Sequence, residues 1–130
     1  MKAFKSIKQR LASKLIGREK ERQVADWLQS QQVEIIESNY LCRGGEIDLI
    51  GYQACSNSLI FFEVKYRQST DFGHPLELVT SAQWQRIYRC AEQFLLRHPN
   101  YQDCQMQFDL IALTEDQTVP LRIENAYGQF

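Results

Sequence analysis

Two short stretches, each with the composition of a β-strand, limit most strongly what this chain can fold into. The first carries Glu46 and Asp48 and the second carries Glu63 and Lys65, so the charged residues of both lie two positions apart. Alternate residues of a strand project from the same face. If the two strands are neighbours, three carboxylates and one ammonium group are therefore expected to converge.

The apolar residues between these charges indicate that the strands belong to a folded sheet. Ile47, Leu49 and Val64 occupy the alternate positions, as expected for strands whose other face is buried. Gly44 and Gly45 precede the first strand and permit tight backbone geometry. The pattern predicts a polar site on a sheet, of a kind suited to a metal ion.

The remaining pattern predicts one domain that mixes helices and strands. Helical spacing precedes the first strand, and a second helix, capped by Thr80 or Ser81, is expected to end before Pro99. The final strand is expected at a sheet edge because Pro120 cannot donate to a ladder. The order αβββαββ predicts an α/β (α+β) sandwich, a mixed central sheet flanked by helices. Strands are predicted over residues 33–40, 46–52, 59–66, 106–113 and 119–123.

Length, composition and cysteine spacing exclude several classes of protein. The 130 residues suffice for one core, and the longest apolar run, residues 59–62, is far too short to span a bilayer. The four cysteines show no C-x-x-C spacing, which argues against a zinc site and favours reduced thiols. We therefore expect a cytoplasmic protein without a membrane partner. No secretory signal is expected, since the N-terminus lacks an apolar core.

Basic charge is concentrated at the N-terminus. Residues 1–22 hold eight of the fifteen basic residues and two of the sixteen acidic ones, which leaves seven basic and fourteen acidic residues in the remainder. Residues 1–16 are predicted to form a basic amphipathic helix or arm. Residues 17–130 are predicted to form a single domain, which begins with a second helix from after Gly17 to about Ser30. The arm could dock as a helix, contact phosphate or lie on a membrane surface.

Convergent carboxylates suit a hard divalent cation. Mg²⁺ prefers one or two carboxylates with waters and substrate phosphate over a complete cage of protein ligands. Such an ion activates a bound water and neutralises the charge that develops during displacement at a phosphodiester. Lys65 would then orient the attacking water or stabilise negative charge. The residues leave a second interpretation open, a row of ion pairs on a solvated face, because cross-strand Glu and Lys pairs are common.

Seven motifs, in order between Glu21 and Tyr127, resemble those of the YraN family of largely uncharacterised bacterial proteins. That family is a Holliday-junction-resolvase-like branch of the PD-(D/E)XK superfamily. Its pattern runs G-E-x-x-A-x-x-x-L, N-x-x-x-R-x-G-E-I-D-L-I, F-V-E-V-K-x-R, F-G-x-P, a helix with K-x-x-(K/R), R-F-D-(V/L)-(V/I), and N-A-F or D-A-F. The corresponding segments here are residues 21–28, 39–50, 61–67, 72–75, 83–86, 107–111 and 125–127.

The resemblance implies a restriction-endonuclease-like fold and assigns roles to the charged residues. It implies a metal site of Asp48 and Glu63, with Lys65 as the catalytic lysine, and Glu46 joins the metal site as a neighbour on the same strand face. Glu21 resembles an acid that resolvase-like branches carry on the first helix, and it is a secondary candidate. Two positions depart from the pattern, since the family lysine is Gln83 here and the first-motif alanine is displaced to Ala25.

Pattern and resemblance together predict a Mg²⁺- or Mn²⁺-dependent nuclease that acts on DNA. Branched or single-stranded structure is a more natural target than a short sequence, because 130 residues leave no room for a recognition domain. Arg43, Arg67 and Arg86 flank the predicted site and are candidates for phosphate contact, and Gln83 is a secondary site candidate. The alternative is a nucleic-acid-binding or protein-interaction module with little or no catalysis. A homodimer is also open, since many nucleases of this kind pair, although no residue marks an interface.

Overall fold

A five-stranded mixed sheet carries one long helix on each face. The computed structural model describes residues 7–67, 73–115, 117 and 119–128, with side chains from residue 17 onward. The long elements are α1 (Ile7–Ser30), β1 (Glu34–Cys42), β2 (Gly45–Gln53), β3 (Ser58–Arg67), α2 (Ser81–Arg97), β4 (Gln105–Thr114) and β5 (Leu121–Ile123).

The strands lie side by side in chain order, β1-β2-β3-β4-β5. All neighbours are antiparallel except β3 and β4, which are parallel and are connected through α2. A parallel pair needs such a crossover, whereas β1, β2 and β3 are joined by short connections. The predicted order αβββαββ and the mixed sheet are therefore confirmed.

Strand β3 separates two apolar cores. Its residues Leu59 and Phe61 pack in the core beneath α2, and Ile60 and Phe62 pack in the core beneath α1. All four side chains are fully buried. Because apolar residues fill both faces of this strand, the charged residues at its end mark the point where it leaves the core.

Thr80, one of the two predicted caps, begins helix α2 and forms a capping box with Gln83. The Thr80 hydroxyl oxygen accepts a hydrogen bond from the Gln83 backbone N–H at 3.1 Å, and the Gln83 side-chain oxygen accepts one from the Thr80 N–H at 2.8 Å. The helix ends at Arg97, two residues before Pro99. This geometry gives Gln83 a structural role at the helix start.

Two expectations about local structure are wrong. Helix α1 continues through Gly17, where two helices were expected; a glycine inside a helix costs only about 1 kcal/mol and does not force a break. The expectation of reduced thiols fails for Cys42 and Cys90, which form a disulfide between the end of β1 and α2. Cys55 and Cys104 are free.

Several predicted features fall on parts of the chain that the structure does not describe. Residues 1–6 and the side chains of residues 7–16 include most of the predicted basic arm, and Phe72 of the F-G-x-P segment also lies outside the described residues. None of the described helices is long and apolar enough to cross a membrane.

Candidate functional site

Strands β2 and β3 separate where the acidic residues begin. Their ladder runs from the pair Gln53 and Ser58 to the pair Leu49 and Phe62 and stops there. One residue further, the Asp48 carboxylate accepts a hydrogen bond from the Val64 backbone N–H at 2.8 Å. A side chain thus satisfies a donor that the neighbouring strand would otherwise serve, and this contact holds Asp48 between the two strands.

The expected alternation of β2 breaks at Asp48. Ile47 packs in the core beneath α2, whereas Leu49 packs in the core beneath α1, so these residues do not share one face as predicted. The irregularity extends to β1, where Asn39 lies between the residues paired with Ile47 and Leu49 and has φ of +53°. Asparagine tolerates this left-handed conformation better than most residues. The paired irregularity explains how Asp48 turns towards β3.

Glu63 and Lys65 share one face of β3, as predicted. The Lys65 ammonium lies 3.7 Å from the Glu63 carboxylate, and the side chains are 18% and 17% exposed. Burial, followed by the charge and hydrogen bond of Asp48, raises the pKa of Glu63 to about 8, although Lys65 opposes the shift. At neutral pH, therefore, the neighbouring Asp48 and Glu63 carboxyl groups hold a proton.

Glu21 reaches the same region from helix α1. Burial raises its pKa, and the charge of Asp48 raises it further, while a hydrogen bond with Asn39 opposes the shift. Its Oε2 atom is buried and has no hydrogen-bond partner among the described residues. Glu21, Asn39 and Glu46 line a groove of about 480 Å³. The structure therefore brings Glu21 and Glu46 close enough to act electrostatically on the carboxyl pair.

The other sequence-predicted residues lie elsewhere or have other contacts. The Gln83 side-chain oxygen is used by the α2 cap. The exposed Arg67 side chain donates to the Tyr66 carbonyl at 2.9 Å. Arg43 and Arg86 line a different groove from the one that contains Glu21 and Glu46.

The carboxylates of Asp48 and Glu63 fit a metal cation that keeps most of its own water ligands. Within the part of the chain that the structure describes, no group of three or more His, Cys, Asp or Glu side chains is gathered tightly enough to cage a metal. Asp48 and Glu63 nevertheless supply two carboxylates whose acceptor capacity exceeds the donors around them. Proteins commonly bind Mg²⁺ in this way, through one or two carboxylates, while the ion keeps several of its waters.

Sequence reasoning missed one contributor to the acidic site and two features of the neighbouring arginine-lined groove. Asn39 opens the motif of residues 39–50 but has no predicted structural role, although asparagine tolerates a left-handed backbone within a strand. Arg89 lines the groove with Arg43 and Arg86 and has no distinguishing motif. The Cys42–Cys90 disulfide joins positions 48 residues apart, and no local pattern reports such a contact.

Comparison with known proteins matches this chain to a family described as uncharacterised. The model of the uncharacterised protein family UPF0102 matches residues 20–113. A UPF0102 protein of Francisella tularensis subsp. novicida is 38% identical over 114 residues, covering 87% of this chain and 94% of the relative. One of Acinetobacter baumannii is 34% identical over 120 residues, covering 92% and 89%. One of Alcanivorax borkumensis is 35% identical over 105 residues, covering 81% and 82%.

Proposed function

We propose that this chain, which belongs to the uncharacterised protein family UPF0102, is a Mg²⁺- or Mn²⁺-dependent nuclease that hydrolyses DNA phosphodiester bonds. Its membership confirms the resemblance to the YraN family. The observation that carries the proposal is the contact between the Asp48 and Glu63 carboxyl groups, with Lys65 beside them. Two acids and one lysine at the open end of a strand pair have the composition needed for phosphodiester hydrolysis.

A bound cation would relieve the electrostatic conflict between the two carboxyl groups. Asp48 and Glu63 are partly buried, and two adjacent negative charges there would repel each other, so the pair holds a proton at neutral pH. Both carboxylates would hold a divalent cation, which would supply more positive charge than that proton. Asp48 and Glu63 are the proposed ligands, and Glu46 and Glu21, which line the adjacent groove, would hold water near the cation.

The chain's own residues would orient the reacting groups. When bound, the cation supplies Lewis acidity and stabilises the charge that develops on the phosphate. Lys65, held by Glu63 at 3.7 Å, is positioned to donate a hydrogen bond to the attacking water or to a phosphate oxygen. The hydrogen bond between Asp48 and the Val64 N–H fixes the carboxylate relative to β3 before substrate arrives. Preorganisation of this kind lowers the barrier because little rearrangement is left for the reaction itself.

Selectivity for DNA structure is the companion proposal. The described residues form one sheet and two long helices that build the site, with no additional element to read base edges. Sequence is read through contacts to base edges, whereas phosphate contacts fix position without reading sequence. Branched or single-stranded DNA is therefore the proposed substrate class.

To test the proposal, purified full-length protein is incubated with Mg²⁺ or Mn²⁺ and with linear, flap, single-stranded and four-way DNA, and cleavage is measured. We expect metal-dependent cleavage of at least one structured substrate and its loss in Asp48→Asn. Glu37→Gln, which removes a charge from an exposed position on β1, is the matched control and should cleave as the unaltered protein does. Cleavage that persists in Asp48→Asn would refute the assignment of the site.

The alternative, a binding module without turnover, predicts a different combination of results. Such a protein would bind the same DNA structures and show no metal-dependent product with any of them. Single-stranded RNA of matched sequence belongs in the same panel, because the proposed site contacts phosphate and does not itself select deoxyribose. Preferential cleavage of RNA would contradict the DNA assignment and retain the nuclease.

A further inference from the structure

A second groove, of about 380 Å³, lies between the β1–β2 turn and helix α2 and is lined by Arg43, Arg86 and Arg89. All three arginines are exposed. None forms an ion pair with an acidic residue in the part of the chain that the structure describes. Only seven basic residues follow residue 22, against fourteen acidic ones. Three of those seven line this one groove.

The groove is held together from both sides. The Arg43 backbone N–H donates to the Gln93 side-chain oxygen at 3.2 Å, and the Gln93 amide nitrogen donates to the Arg43 carbonyl oxygen at 3.3 Å. The neighbouring Cys42 is disulfide-bonded to Cys90 of α2. The turn that carries Arg43 is thus fixed to the helix that carries Arg86 and Arg89. The three arginines therefore share one rigid support.

This chemistry suits phosphate. A guanidinium group is always charged, and its planar set of donors matches phosphate oxygens. Because these exposed arginines have no acidic partners among the described residues, no ion pair has to be broken before an anion binds. Several such groups along one groove match a ligand that carries phosphates at regular intervals.

We propose that this arginine groove binds the sugar-phosphate backbone of a nucleic-acid strand next to the acidic site. The inference rests on the proposed function, because it identifies where that substrate is anchored. Arg43 precedes Asp48 by five residues, a path of at most about 17 Å even if fully extended. At about 3.4 Å of duplex axis per phosphate of one strand, the two sites lie within about five nucleotide steps.

The test measures binding without catalysis. Fluorescence anisotropy measures the affinity for labelled single-stranded DNA, in the presence of a metal chelator and over a range of salt concentrations. The full-length protein is compared with Arg43→Gln, Arg86→Gln and Arg89→Gln. Each substitution should reduce the slope of log affinity against log salt by about 0.7, and the triple variant by about 2. The triple variant should also bind roughly tenfold or more weakly at low salt. Arg97→Gln, at the exposed far end of α2, should leave both quantities unchanged.

A second experiment distinguishes a nucleic-acid backbone from free phosphate as the ligand of the groove. Inorganic phosphate, added at constant ionic strength, should compete no better than chloride, because the groove is proposed to hold several linked phosphates. Displacement of DNA by low concentrations of inorganic phosphate would overturn the backbone assignment. Unchanged salt slopes in the triple variant would overturn the site itself. Either result leaves the nuclease proposal to be decided by metal-dependent cleavage and Asp48→Asn.

Discussion

One buried and one half-buried carboxylate in this sheet lie beside cations, yet their surroundings differ. Asp109 on β4 is completely buried. Its oxygens accept hydrogen bonds from the Gln107 amide at 3.0 Å, from Arg122 Nε at 2.9 Å and from the Asn125 backbone N–H at 3.0 Å. Glu63 on β3 instead faces a second carboxyl group, with its lysine 3.7 Å away.

The difference separates a structural acid from a candidate catalytic one. Asp109 has donors on both oxygens, so little acceptor capacity remains for a ligand. Asp48 and Glu63 have more acceptor capacity than nearby donors, and their mutual repulsion is relieved only by a proton or a cation. The motif pattern includes both acids, and contacts alone distinguish them. We refer to Asp109 with its donors as the closed site and to Asp48 and Glu63 with Lys65 as the open site.

The largest predicted effect breaks the closed site. Arg122→Met should lower the free energy of unfolding by about 3–5 kcal/mol, because it leaves Asp109 as a buried charge without its cation. Arg122 also lies over the Phe62 ring, with its guanidinium carbon 5.5 Å from the ring centre. Urea denaturation followed by circular dichroism measures the change. Arg97→Met, at an exposed position, should change stability by no more than about 0.5 kcal/mol.

A second effect, at most as large, appears in the pH dependence of the open site. The pKa of Glu63 is about 8 in the folded protein and 4.5 for an unperturbed glutamate. Between these values the folded chain retains a proton that the unfolded chain has released, so rising pH should reduce the free energy of unfolding by a few kcal/mol. The effect should be complete above pH 8 and absent below pH 4.5.

Urea denaturation of metal-free protein across this pH range measures that trend. Glu63→Gln cannot ionise and should remove this component, whereas Glu37→Gln, at an exposed position, should retain it. A stability curve that has the same shape in wild type and Glu63→Gln would mean that the two carboxyl groups do not share a proton.

The smallest predicted change in stability belongs to Asp48→Asn. The asparagine side-chain oxygen can still accept the hydrogen bond from the Val64 N–H, and loss of one like charge favours folding at pH 8. Stability should therefore change by less than about 1.5 kcal/mol, although the thermal shift caused by Mn²⁺ should disappear. A loss as large as that of Arg122→Met would place Asp48 in the same structural class as Asp109.

Local patterns were sufficient to predict most elements of the fold, although not the continuity of α1 through Gly17. The period-two charges in residues 46–48 and 63–65, the Thr80 cap and Pro120 each act within a few residues, so the strands, the start of α2 and the order of elements followed from sequence. The convergence of Glu63 with Asp48 followed as well, since a short connection makes β2 and β3 antiparallel neighbours.

Features that depend on tertiary contacts could not be predicted in the same way. The reversal of side-chain direction at Asp48 depends on the Val64 N–H of another strand, and alternation rules applied to β2 alone give the opposite face for Leu49. The Cys42–Cys90 bond depends on how α2 packs against the end of β1. The different surroundings of Asp109 and Glu63 depend on hydrogen-bond donors and charges from other segments of the chain.

The open site is proposed to turn substrate over. The most direct test measures the single-turnover cleavage rate of Lys65→Met beside that of the unaltered protein, at saturating Mn²⁺ and on the best substrate of the DNA panel. We predict that Lys65→Met keeps a Mn²⁺-induced thermal shift and loses about 10²–10³-fold in rate, the scale for removal of one donor that stabilises developing charge. Equal rates for the two proteins, or no cleavage by either on any DNA in the panel, would contradict the account.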